Sequence, residues 1–243
     1  MKKTKLDDDF YSHLTEGADF VGEAGIPELL DLQNVEIPRA LLPFEKINCE
    51  EYDKRRYVHF YMHDKYFGKI LSDTDKYIPT LMQFDGVITP DFSMLIGQSR
   101  CLLETQTYFN RAVGYYLQRH GIPVIANIRW SDSNSYDYCF LGVPKHSIVA
   151  VSTHGCIRSD QQKKVFKDGL AEMLKALEPT DILVHGHMPE SVFGEFQSSY
   201  RFHRYPSLFE EKHGMDMEVA YTWEQDIRAV LRFIIPFLKT WES

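Results

Sequence analysis

Ile148-Val149-Ala150-Val151-Ser152-Thr153-His154-Gly155-Cys156, followed after a short polar break by an amphipathic segment over 159–177, is the stretch on which the fold turns. The run 148–152 is continuously apolar until its last residue, as expected of a strand buried on both faces. The segment 159–177 carries Val165, Phe166, Leu170, Met173, Leu174 and Leu177 at helical spacing, with Ser159 placed to cap it and Pro179 to end it. Strand, small polar turn, helix: this unit recurs along the chain in both directions.

Working back from it, 124–130 reads as a strand after Ile122-Pro123, and 98–120 as the clearest helix, stopped by Gly121. Residues 87–89 read as a further strand. Residues 65–82 have a helical period with a break near 73–75, and 58–62 is rich in strand formers. Working forward, 182–185 reads as a fifth strand and 222–241 as a C-terminal helix that Pro236 should kink. Residues 1–50 are less regular, with Pro27, Pro38 and Pro43 as breaks, a short helix from Ile26 and a short strand over 44–49. These patterns predict an α/β protein built on a mostly parallel sheet with helices on both faces, open or partly curled, with a barrel-like form left open. Residues 1–56 are expected to wrap a single α/β domain over 57–243.

Hydrophobic residues make up 44% and charged residues 26%, ordinary values for a globular chain. The net charge of −8 disfavours bulk attraction to nucleic acid or anionic lipid. Arg100, Arg111 and Arg119 on one helix, and Lys163, Lys164 and Lys167 on another, read as solvated faces. Cys49, Cys101, Cys139 and Cys156 have no metal-finger spacing. The charged N-terminus has no apolar run behind it, and no stretch is long enough to span a bilayer, so a cytoplasmic setting with free thiols and no membrane partner is expected. Nothing indicates an oligomeric state.

In folds of this class ligands bind outside the carboxyl ends of parallel strands. The residues there are His63 and Asp64, then Asp91 and Ser93, then Arg129 and Trp130, then Ser152, Thr153, His154 and Gly155, then His185 and His187. Asp91 and His154 are the acid–base candidates. Ser93, Arg129, Trp130, Ser152, Thr153, Gly155 and His185 are the ligand-binding candidates, with Arg129 and the Ser152–Gly155 turn holding an anion. Each also has a plain structural reading: a Ser/Thr turn, a paired Arg, a Trp over the core edge, a hydrogen-bonded His. Asp64, Asp85 and Asp91 with the histidines could form a metal or acid–base cluster, but spacing alone names no metal and no cofactor. Cys156 sits where a thiol pKa can fall, without a partner base. No Walker, Gly-x-Ser-x-Gly or Gly-x-Gly-x-x-Gly motif occurs.

Asp85-Gly86-Val87-Ile88-Thr89-Pro90-Asp91-Phe92-Ser93, Asn127-Ile128-Arg129-Trp130 and Ser152-Thr153-His154-Gly155-Cys156 together resemble domain-of-unknown-function family 4417 over 84–187. The resemblance implies an origin on phage genomes, plasmids or integrative elements. It brings no catalytic residues, and the replication label on some relatives is poorly grounded. The expected function is an enzyme or binding protein for a small phosphorylated or nucleotide-like ligand at the strand C-terminal edge. The alternatives are a nucleic-acid-acting replication or nuclease protein, binding through 201–204 and 163–167, and a non-catalytic host-interaction protein.

Overall fold

The computed structural model describes residues 11–31, 35–207 and 210. A two-stranded antiparallel ribbon pairs β1 (Phe20–Val21) with β2 (Ile26–Pro27). The main sheet has seven strands, all parallel, lying side by side in chain order. They are β3 (Leu41–Pro43), β4 (Tyr57–His59), β5 (Gly86–Ile88), β6 (Val124–Asn127), β7 (Ile148–Ser152), β8 (Asp181–His185) and β9 (Phe202–Tyr205). The connections carry α1 (Lys69–Ser72), α2 (Thr74–Leu81), α3 (Arg100–Arg119), α4 (Asp160–Leu177) and α5 (Glu190–Phe193). The chain is thus an α/β protein with a curled parallel sheet, a half-barrel.

The curl follows from strand order and side-chain phase. Val124 pairs in register with Val87, and Ala126 with Val149, so these residues share one face. On that face Val87 and Val124 pack with Ala112, Val113 and Leu117 of α3, and Val149, Val151 and Ile182 with Leu170, Met173 and Leu174 of α4. The two long helices therefore cover the same side. A sheet so covered must close its other face on itself. Tyr57, Ile88, Ile125, Ala150, Leu183 and Tyr205, one from each of β4 to β9, form a single interior cluster. Strands β4 and β8 have three others between them, which in a flat sheet sets them roughly 19 Å apart. Their His59 and His185 rings nevertheless lie 4.7 Å apart. Across the open side, the Tyr205 hydroxyl donates to the Pro38 carbonyl at 2.6 Å, and Val35 and Ile37 join the interior cluster.

The periodic segments fold as their patterns require. Ser159 accepts from the Gln162 N–H at 3.2 Å and caps α4. The break expected near 73–75 falls at Asp73, between α1 and α2. Other expectations change. Residues 44–46 are a turn of 3-10 helix after β3 rather than a strand, and Ile26 opens β2 rather than a helix. β3 and β9 join the sheet from segments whose composition does not alternate clearly. The predicted helix over 222–241 lies outside the described residues. Among the described residues no helix is long and apolar enough to cross a membrane.

Candidate functional site at the strand C-terminal ends

The site begins with two polar residues buried in the middle of α3. Asn110 accepts from the Thr89 hydroxyl at 2.9 Å and donates to the carbonyls of Pro90 (2.7 Å) and Asn127 (3.2 Å). Thr89 in turn accepts from the Asn127 N–H at 2.8 Å. The side chains of Thr89 and Asn110 thus take over from the β5–β6 ladder just where it ends. This is why β6 stops at Asn127, short of the strand expected to reach Trp130. Arg111 shares with Arg100 and Arg119 a pattern that reads as a solvated face, but it is fully buried. Its guanidinium donates to the carbonyls of Leu141 (3.0 Å), Cys139 (2.9 Å) and Asn127 (3.2 Å) and to the Asn110 side-chain oxygen. Burial pulls its pKa down to about 10. Arg100 and Arg119 do lie on the exposed side.

Inside the curl, imidazoles and a phenol form one layer. Tyr61 stacks on His185 at 4.5 Å and on His59 at 5.1 Å, and His154 meets His185 at 6.3 Å. His59 Nδ1 accepts from the Tyr61 N–H at 3.1 Å. The Ser152 hydroxyl accepts from the His154 N–H at 3.2 Å and lies 3.2 Å from His185 Nδ1. Burial, with His154 nearby, pushes His59 down to about 3. Burial and the other two imidazoles push His185 well below the ordinary value. Partial desolvation at the rim and Arg158 lower His154 against the pull of Asp91. All three rings are neutral at pH 7. The Tyr61 hydroxyl is held far above the ordinary phenol range, by burial first and by the Asp91 carboxylate second.

Beside this layer, Asp91 accepts from the Asn127 side-chain amide at 2.9 Å and faces the Arg129 guanidinium at 3.6 Å. Arg129 donates to Cys156 Sγ at 2.9 Å, a weak acceptor. Burial alone would lower the Arg129 pKa, but Asp91, Cys156 and Asp64 outweigh it and raise it. Burial pushes the Cys156 thiol up despite Arg129, so this is a protonated thiol and not an activated one. Arg129 also lines a cavity of about 210 Å³ between the ends of β6 and β7 and the start of α4. Ser131, Ser152, Gly155 and Cys156 share its polar wall. The Ser131 hydroxyl is buried and has no hydrogen-bond partner. The Tyr61 hydroxyl and Asn127 Oδ1 are in the same condition.

The expected residues divide among these features. Arg129, Trp130, Ser152 and Gly155 line the cavity, the last with φ of 78°, where glycine is at ease. The Trp130 indole is otherwise core, packed on Phe166 and against the Gly169 backbone of α4. Asp91 stands beside Arg129, His185 lies in the adjoining layer beneath Tyr61, and His154 is at the exposed rim. Ser93 is drawn away, its N–H and hydroxyl both bonded to Asp64. Thr153 donates to the carbonyls of His187 (2.6 Å) and His185 (3.3 Å) and acts as a structural clamp. Asp85 precedes β5, at the opposite end of the sheet from Asp91, and among the described residues no group of His, Cys, Asp and Glu could hold a metal. Six of the residues involved were not expected: His59, Tyr61, Asn110, Arg111, Asn127 and Ser131. Period-two alternation from Tyr57 places His59 and Tyr61 on one face, a signal present in the sequence.

The chain belongs to the family described as "Domain of unknown function (DUF4417)", which matches residues 18–205. It is 30% identical over 131 residues to the "Gene 1 protein" of Mycobacterium phage D29, covering 54% of this chain and 48% of that protein. It is equally 30% identical over 131 residues to the "Gene 1 protein" of Mycobacterium phage L5, covering 57% of that protein. The chain thus spans about half the length of the curated relatives it matches. No solved structure matches it.

Proposed function

We propose that this member of a phage-associated family binds a small anionic ligand at the C-terminal ends of β5, β6 and β7, with Arg129 as the holding cation. One observation carries the reading. Arg129 lines the cavity while its countercharge, Asp91, stands 3.6 Å away and its hydrogen bond goes to a thiol. A guanidinium so placed keeps strong donors for a better acceptor. Asp91, oriented by Asn127, acts as counter-ion. His154, neutral and exposed at the rim, is the group placed to accept a proton if the ligand is turned over. Isothermal titration with inorganic phosphate, a nucleoside monophosphate and small carboxylates tests it. At least one anion binds, and Arg129→Gln weakens it by about 10-fold or more. Unchanged binding in Arg129→Gln, or no anion bound by the parent, would end the proposal.

The nucleic-acid reading draws less support. Lys163, Lys164 and Lys167 pair with Asp160, Asp168 and Glu195, and Arg201 and Arg204 pair with Asp181 and Glu210. Both basic segments are therefore already matched by carboxylates, which leaves little net positive field for a phosphate backbone.

A further inference from the structure

We infer that the ligand is a small monocarboxylate with an apolar ring or branched hydrocarbon group, about ten heavy atoms in all. This rests on the anion-site reading above and narrows it by size, wall chemistry and charge. The cavity of about 210 Å³ exceeds the roughly 150 Å³ of a dry apolar cavity that holds benzene. It falls below the roughly 300–1,000 Å³ typical of sites for ligands of drug size, the size class of a nucleotide. A ring with one attached carboxylate matches this volume, and a nucleoside phosphate would extend beyond it.

The wall is divided. Met94, Ile128, Trp130, Val165 and Phe166 make an apolar side, and Arg129, Ser131 and Ser152 make a polar one. Leu95 and Ile96, 57% and 58% exposed, stand at the rim, where a hydrocarbon group beneath them would cover apolar surface now in water. The charge is one unit. Among the described residues a single guanidinium lines the cavity, and Asp91 already offsets part of its charge, which favours a monoanion over a phosphate dianion. The second donor is independent of Arg129. Ser131 is 4% exposed and lines the cavity, and its hydroxyl, buried just behind the wall, has no partner among the described residues. A carboxylate presents two acceptor oxygens, one for the guanidinium and one for this hydroxyl once the Ser131 side chain rotates toward the cavity.

Titration of the full chain with benzoate, 3-methylbutanoate, benzamide, inorganic phosphate and a nucleoside monophosphate separates the outcomes. The expected result is benzoate or 3-methylbutanoate binding about 10-fold or more tightly than benzamide. That preference is lost in Arg129→Gln, kept in part by Arg129→Lys, and reduced several-fold in Ser131→Ala. A circular dichroism melt of each variant establishes that it is folded, and Ser131→Ala, which removes only an unpartnered hydroxyl, keeps the test alive if Arg129→Gln is not. Binding of phosphate or nucleotide but of neither carboxylate would overturn the ligand class and leave the anion site standing. Equal binding of benzoate and benzamide would overturn both, as would binding of none of the five.

Discussion

At the N-terminal end of the curled sheet, Asp181 accepts from Arg201 at 2.8 Å and from His203 at 2.8 Å, beside a cavity of about 400 Å³. At the C-terminal end the cavity is about half that size, yet Arg129 is bonded to a thiol and the hydroxyls of Ser131 and Tyr61 and the Asn127 amide oxygen are unpartnered. Volume and chemistry therefore point to opposite ends. The N-terminal end has room, but the Asp181 carboxylate is already matched on both oxygens. The C-terminal end has less room and more unmet hydrogen-bonding capacity, which costs stability unless something occupies it. Parallel strands gain this asymmetry from their connections. The returns from α2, α3 and α4 into β5, β6 and β8 are tight, whereas the departures from β5 and β7 carry the segments 89–99 and 153–159, and 128–147 joins β6 to β7 without an α-helix.

The sharpest way to break the comparison is pH, because the three imidazoles belong to one end only. Their folded-state pKa values are depressed while the unfolded values stay near 6.5. Below about pH 6.5 the unfolded chain takes up protons that the folded chain refuses, so stability falls as pH falls, and for His59 this continues toward about 3. Each fully buried imidazole contributes a slope of about 1.4 kcal/mol per pH unit. Urea unfolding at pH 7, 6 and 5 should show a steep decline, and His59→Gln should flatten it by about one imidazole's share. A profile that is flat between pH 7 and 5 would mean the layer is not buried as described.

A smaller effect is expected at Arg111, which ties α3 to the carbonyls at and beyond the end of β6. Arg111→Met keeps most of the volume, strands the carbonyls of Cys139 and Leu141 and removes one of the two donors to that of Asn127, at about 1 kcal/mol or more for each lost bond. A loss of about 3 kcal/mol in urea unfolding is expected, and a loss under 1 kcal/mol would show that the guanidinium is not the tie. The smallest effect belongs to the other end. Arg201 is 71% exposed in its pair with Asp181, so Arg201→Ala should cost under about 1 kcal/mol and leave anion titrations at Arg129 unchanged.

Much of this was readable from local pattern. The alternation of apolar runs with 3.6-period segments marks β4 to β8, α3 and α4, and Arg129 and Ser152 stand at the carboxyl ends of parallel strands, where ligands bind in such folds. The missed elements have weak local signals. β3 and β9 are short segments that pair with the sheet but lack a long amphipathic pattern. Arg111 carries the most hydrophilic of side chains on a helix whose other arginines are exposed, and only the position of three loop carbonyls makes its burial tolerable.

What the sequence by itself determined is the order of elements and the phase of each strand, because both depend on residues a few positions apart and on the period of a strand or helix. Phase alone put His59 with Tyr57 and Tyr61, and His185 with Leu183, on the inner face. What only the tertiary structure decided is which inner faces meet. A sequential parallel sheet with its helices on one side closes the other side by curling, and the curl brings β4 against β8. His59 and His185, 126 positions apart in the chain, then share a layer with Tyr61, and Arg129 faces both Asp91 and a cavity. No local pattern encodes that meeting, since it is set by the summed twist and curvature of all seven strands.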